Sequence, residues 1–103
     1  MIGRVQGLLG LARRAGKLKA GFTTCCESVL KGEARLVVVA EDAGVGVVRE
    51  FTRLCNRQRV SLFRHGTREL LGRAIGKAPC SVLAVTDDEF AGAVERLLAR
   101  RPE

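Results

Sequence analysis

The sequence predicts an α/β protein, a three-layer α/β/α sandwich whose sheet is at least partly parallel. Two observations carry this. Three short apolar runs, "ARLVVVAED" (34–42), "RVSLFR" (59–64) and "CSVLAVTD" (80–87), read as strands. Longer stretches with helical apolar spacing lie before, between and after them, so right-handed crossovers would set helices on both faces of the sheet.

The elements follow in order. Ile2, Val5, Leu8, Leu9, Leu11, Ala12 and Ala15 recur at helical spacing, which predicts an amphipathic helix over 2–15 stopped by Gly16. Thr24 and Glu27 form a T-x-x-E pair, a capping box that would start a second helix ending near Gly32. The run at 34–42 is the first buried strand. Val47, Val48, Phe51, Leu54 and Cys55 share one stripe, so 46–57 is a third helix. The run at 59–64 is a second strand. Thr67 opens a helix through Ile75, closed by Gly76. The run at 80–87 is a third strand. Thr86 and Glu89 repeat the capping-box spacing and start a last helix reaching about Arg100.

The 103 residues fit a single domain, 1–103. No apolar run approaches the ~20 residues that cross a bilayer, and arginines interrupt the N-terminal apolar stretch. A cytoplasmic, monomeric protein with no membrane partner is expected. The net charge of +7 is uneven: residues 1–48 carry +3, residues 49–77 carry +6 and residues 78–103 carry −2. Such clustering is the footprint of a polyanion partner.

Catalytic patterns fail in turn. The four cysteines (Cys25, Cys26, Cys55, Cys80) include no C-x-x-C, and His65 is the one histidine. Zinc sites pair their ligands two to four residues apart, and adjacent Cys25 and Cys26 would point ~100° apart on a helix. They read as small buried hydrophobes, so neither metal nor cofactor is expected. "GRAIGKA" (72–78) has three residues between its glycines and no Ser or Thr after Lys77, so it is not a phosphate loop. There Gly72 would allow close helix packing. Glu41 and Asp42 read as strand-end turn or cap residues. Asp87, Asp88 and Glu89 suit a helix N-terminus, where the dipole favours carboxylates.

Binding features are better supplied. Lys17 and Lys19 lie in a glycine-bounded segment just before the second helix, whose free N–H groups favour phosphate. Thr23 and Thr24 can bond a base edge or phosphate. Arg49, Arg53 and Arg57 recur every four residues, which reads first as a solvated helix back. With four Phe and no Tyr or Trp, stacking platforms are scarce, which favours structured RNA over single strands.

"GLARRAGKLKAG", "KGEARLVVVAEDA", "LLGRAIGK" and "VLAVTDDEFA" resemble the YlxQ-type bacterial ribosomal proteins, of the kink-turn-binding group that includes the archaeal L-seven-Ae and L-thirty-e proteins. The resemblance spans about residues 5–98. It implies a four-stranded mixed sheet, with an extra short strand near Leu18–Gly21, and RNA binding without catalysis or cofactor. It also implies ribosomal RNA, and other ribosomal proteins, as partners. In the group's kink-turn readers the second helix opens with Gly-Thr-Asn-Glu and carries a basic residue three positions on. Here Gly21 is the glycine, Phe22 stands at the Thr, Thr23 at the Asn, Thr24 at the Glu and Glu27 at the basic position. The apolar loop before the last strand is Lys77, Ala78, Pro79 and Cys80.

A threonine hydroxyl cannot reproduce the donor–acceptor pair of an amide, and Glu27 reverses a charge. Standard kink-turn specificity is therefore not expected. The expected RNA contacts are Arg13, Arg14, Lys17, Lys19, Gly21, Thr23, Thr24, Lys77, Ala78 and Pro79. The competing reading is a protein-interaction module that kept the fold but lost RNA recognition.

Overall fold

The computed structural model describes residues 3–99. Helices and strands alternate as α1 (Arg4–Arg14), β1 (Leu18–Ala20), α2 (Phe22–Leu30), β2 (Leu36–Val39), α3 (Val45–Gln58), β3 (Ser61–Arg64), α4 (Arg68–Ala74), β4 (Val82–Val85) and α5 (Asp88–Ala99). The sheet order is β1-β4-β2-β3. β2 and β3 run parallel, whereas β4 is antiparallel to both β1 and β2. The sheet is mixed and four-stranded, and Leu18–Ala20 supplies its edge.

Alternation along the buried strands splits the core into two layers. Leu36, Val38, Leu83 and Val85 face α1, α4 and α5, where Val5, Leu9, Leu71 and Val94 meet them. Val37, Val39, Val82 and Ala84 face α2 and α3, where Cys25, Val29, Phe51 and Leu54 meet them. This is the three-layer sandwich. Leu11, placed on the apolar stripe by spacing, is 52% exposed, so the buried stripe of α1 is narrower than its periodicity. Ile2 and Arg100, expected helix residues, lie outside the described residues.

Three helices end alike. After α1, α2 and α4, a glycine with positive φ (Gly16, Gly32, Gly76) is followed by a residue whose N–H reaches back into the helix. Lys17 donates to Ala12 O, Glu33 to Ser28 O and Lys77 to Gly72 O, which answers carbonyls left over at each helix end. Thr67 caps α4 as expected, its Oγ1 accepting from Leu70 N–H at 3.1 Å. Asp42 adds a second acceptor there, taking Arg68 N–H at 2.8 Å.

The two capping boxes are corrected. α2 begins at Phe22 with Gly21 as its cap and no side-chain cap bond. The ladder decides this: Gly21 N–H still donates to Val82 O, so the chain must leave the sheet and start a helix at one residue. Gly21 does so at φ 98°, ψ 157°, a conformation open to glycine. Thr24 is thereby already inside the first turn. At α5, Thr86 N–H is held by Lys17 O, and Asp87 is the cap, its Oδ2 accepting from Phe90 N–H at 2.9 Å. Gly72 is also reassigned. It meets the backbone of Ala78, not a neighbouring helix: a Cβ there would lie 2.2 Å from Ala78 O.

Candidate nucleic-acid interface

Pairing of β1 with β4 sets Ala20 opposite Leu83 and lets Gly21 bond Val82. The start of α2 therefore lies beside the segment that leads into β4, Lys77 to Ser81. That loop is held from below by Gly72 and by Cys80 N–H, which donates to Arg68 O at 2.9 Å. Two thiols fasten the junction. Cys25 Sγ and Cys80 Sγ both donate to Val82 O, at 3.7 and 3.2 Å. Cys25 also lies 3.5 Å from Lys19 O. Lys77, Ala78, Pro79, Thr23 and Thr24 are all exposed on the resulting surface.

The first bond within α2 runs from Cys25 N–H to Gly21 O. With no side-chain cap, the N–H groups of Phe22, Thr23 and Thr24 are left without acceptors among the described residues. α3 also starts at a glycine, Gly44, without a side-chain cap, at the same end of the sheet. The segment entering β4 is bonded on both sides, Gly21 N–H donating to Val82 O and Ala40 N–H to Ser81 O. α2 starts directly at the bonded residue, α3 only after Gly44. Phe22 is 45% exposed and packs edge-on against Phe51, ring centroids 5.3 Å apart, so it props α2 on α3. Glu27 is exposed and makes no cap.

Lys19 lies between Leu18 and Ala20, which pack toward α1 and α5, so its side chain leaves the edge strand on the α2 side. Lys17 belongs elsewhere. Its carbonyl pairs with Thr86 N–H, at the far end of β1, about 13 Å of extended chain from Gly21. Arg13 and Arg14, exposed in the last turn of α1, line a groove against Arg73, Ala74 and Gly76 of the α4 end. The predicted set thus divides into a sheet-end cluster with Lys19 and an α1–α4 groove; Lys17 follows the Arg13–Arg14 end of α1, its N–H bonded to Ala12 O, without lining the groove. Sequence reasoning left out Arg68, exposed at the start of α4 and 3.7 Å from Asp42; the excess charge of residues 49–77 was its only signal.

Burial disfavours the thiolate at three of the four cysteines, Cys25, Cys26 and Cys55. Burial, with Cys80 and then Cys26 nearby, pushes the Cys25 thiol far up. Burial, then Cys26, pushes Cys55 up to about 11. Burial and then Glu50 raise Cys26. They remain protonated at neutral pH, which disfavours thiolate nucleophile and metal-ligand roles. Among the described residues no three His, Cys, Asp or Glu side chains are grouped to hold a metal ion. No helix of the described residues is long and apolar enough to cross a membrane.

The sequence matches the model of the ribosomal protein L7Ae/L30e/S12e/Gadd45 family over residues 3–95. The chain belongs to this family. The RNA-binding protein YlxQ of Bacillus subtilis (strain 168) is 38% identical over 91 residues, 88% of this chain and 91% of that protein. The large ribosomal subunit protein eL8 of Thermoplasma volcanium is 32% identical over 81 residues, 78% of this chain and 67% of that protein. A protein of unknown function from Bacillus halodurans C superposes with a TM-score of 0.91 at 32% identity, over 94% of this chain and 98% of that one. The Giardia lamblia 15.5kD RNA binding protein shares the fold, with a TM-score of 0.80 at 23% identity, over 92% of this chain and 82% of that one.

The YlxQ-type resemblance therefore holds, and with it the mixed sheet and the short β1. The four residues expected at the kink-turn reading positions, Gly21, Phe22, Thr23 and Thr24, run from the cap of α2 into its first turn. Phe22, Thr23 and Thr24 are exposed there, whereas Gly21 is half-buried.

Proposed function

We propose that this L7Ae-family chain is a non-catalytic RNA-binding protein of the cytoplasm, associated with the ribosome. It holds structured RNA against the start of α2 and the Lys77–Pro79 loop. One observation carries the reading: three backbone N–H groups at the α2 start have no acceptor among the described residues, and the Gly21–Val82 bond holds that start against the strand into which the exposed loop leads. Such N–H groups and the positive helix end attract phosphate oxygens. Lys19 and Lys77 add full charges on the same side, and Thr23 and Thr24 supply hydroxyls that bond phosphate or sugar. The names of two relatives, RNA-binding protein YlxQ and large ribosomal subunit protein eL8, support the same assignment.

The contacts available are to backbone more than to bases, so binding is to shape, without discrimination of tandem G·A pairs. Titrating the protein into a labelled ribosomal RNA fragment with an internal loop, at several salt concentrations, tests this. Affinity should fall steeply with salt. No binding at low salt, or a slope near zero, overturns the proposal.

A further inference from the structure

We infer that the groove between α1 and α4 is a second RNA site, one that takes the sugar–phosphate backbone of a stem leaving the 77–79 loop. The inference rests on the RNA-binding reading and names where the RNA goes beyond the α2 start. The groove encloses about 450 Å³ and is lined by Gly7, Gly10, Arg13, Arg14, Arg73 and Gly76, among others. Gly76, at the edge of the groove, is followed directly by Lys77, so the chain that lines the groove leads into the loop.

Its glycines separate packing from binding. Gly10 has a packing reason: a Cβ there would lie 2.8 Å from Ala74 O, so the two helices touch through it. Gly7 has none, since among the described residues nothing lies within 4 Å of a Cβ built on it. A glycine inside a helix lowers its stability, and open space around it means that the fold gains nothing in return. What Gly7 does provide is a shallow floor, over which a ligand backbone can approach.

The charges match. α1 carries no acidic residue, and Arg13 and Arg14 make no ion pair among the described residues. Their position in the last turn of α1 also favours the helix dipole, but that alone needs no groove. Arg73 meets one carboxylate, Glu69, at 3.3 Å and remains largely exposed, a pair weak enough to open toward phosphate. Three guanidiniums around a shallow trough suit successive phosphates, which arginine binds in a fork.

The test uses the full chain and a two-stem ribosomal RNA fragment with a central internal loop. Gly7→Gln should melt at or above the wild-type temperature yet bind the RNA about tenfold more weakly, the equivalent of one lost charge-assisted bond. Arg73→Gln should reduce the log–log salt slope by about one. Gly7→Gln binding like wild type, with Arg73→Gln leaving the slope unchanged, overturns the groove while the α2 reading stands. Wild type failing to bind at low salt overturns both. A Gly7→Gln chain that melts well below wild type assigns Gly7 to packing and also overturns the inference.

Discussion

The carbonyl of Ala78 rests on Gly72, so closely that a Cβ at Gly72 would lie 2.2 Å from its oxygen and 2.7 Å from its carbon. The obstruction is backbone, not the end of a flexible side chain, so Gly72→Ala must push the Lys77–Pro79 loop outward. Overpacking of this kind costs about 1–3 kcal/mol. The variant should melt lower than wild type and lose RNA affinity, because the displaced loop no longer abuts the α2 start. Unchanged affinity in a folded Gly72→Ala chain would remove the loop from the interface.

Lys17 and Lys19 look equivalent in sequence, two residues apart in one basic segment. The structure gives them different stations. Lys19 leaves β1 on the α2 side, and Lys17 sits at the opposite end of the strand, about 13 Å from Gly21. Screening acts over about 8 Å at physiological ionic strength and about 30 Å at 0.01 M salt. Lys19→Glu should therefore weaken RNA binding clearly more than Lys17→Glu at 0.15 M salt, and the two should converge at 0.01 M. Equal losses at 0.15 M would extend the contact surface to Lys17, beside the Arg13–Arg14 end of α1.

The same pair shows what was legible in the sequence. Strong periodicity and composition placed β2, β3, β4, α3 and α4 nearly as they stand, because "LVVV" and "VLAV" are buried on both faces and their order of residues reflects that. β1 was not legible from pattern. It is three residues long and lies at the sheet edge; it is defined by its partner Leu83–Val85 and not by its own letters. That pairing also decides where α2 begins, which is why the Thr24–Glu27 spacing misleads, whereas Thr67, free of any ladder, caps as its type predicts. The site inherits the same difficulty. Gly21 and Val82 are far apart in sequence, and only the β1–β4 register brings the α2 start to the segment that leaves the loop. The groove was half visible, through Arg13 and Arg14, but its other wall, Arg73 with Gly76, comes from α4.

The buried thiols fix the sign of the alkaline response. Cys25 and Cys55 have folded pKa values raised above the ordinary 9.0, both chiefly by burial. A thiol raised in the folded state ionises first in the unfolded chain. The stability it confers is complete below the unfolded value and is lost as pH rises toward the folded one. Stability should be flat from pH 7 to 8 and decline from about pH 8.5 upward, by at most about 1.4 kcal/mol per pH unit for one thiol. Urea melts of wild type and Cys25→Ala between pH 7 and 10 check this. The variant should start less stable, because it loses a packed sulfur against Val82, and should fall less steeply with pH. Parallel curves would mean that Cys25 ionises freely in the native protein.

The reading positions invite a gain of function. Thr23, Thr24 and Glu27 are all exposed, so changing them disturbs little of the core. Phe22 is best left alone, since it braces α2 against Phe51. Thr23→Asn restores a paired donor and acceptor, Thr24→Glu restores a carboxylate, and Glu27→Lys turns a repulsive charge toward phosphate into an attractive one. A carboxylate and an amide in the first turn also suit the helix N-terminus. Each good bidentate base contact is worth about 1–3 kcal/mol of discrimination. The triple variant should therefore bind a kink-turn RNA with tandem sheared G·A pairs at least tenfold more tightly than the same RNA with those pairs replaced by Watson–Crick pairs. Wild type should show a ratio near one. A large ratio already present in wild type would show that Thr23 and Thr24 read the pairs by another geometry. A ratio still near one in a folded triple variant would place the RNA away from the start of α2.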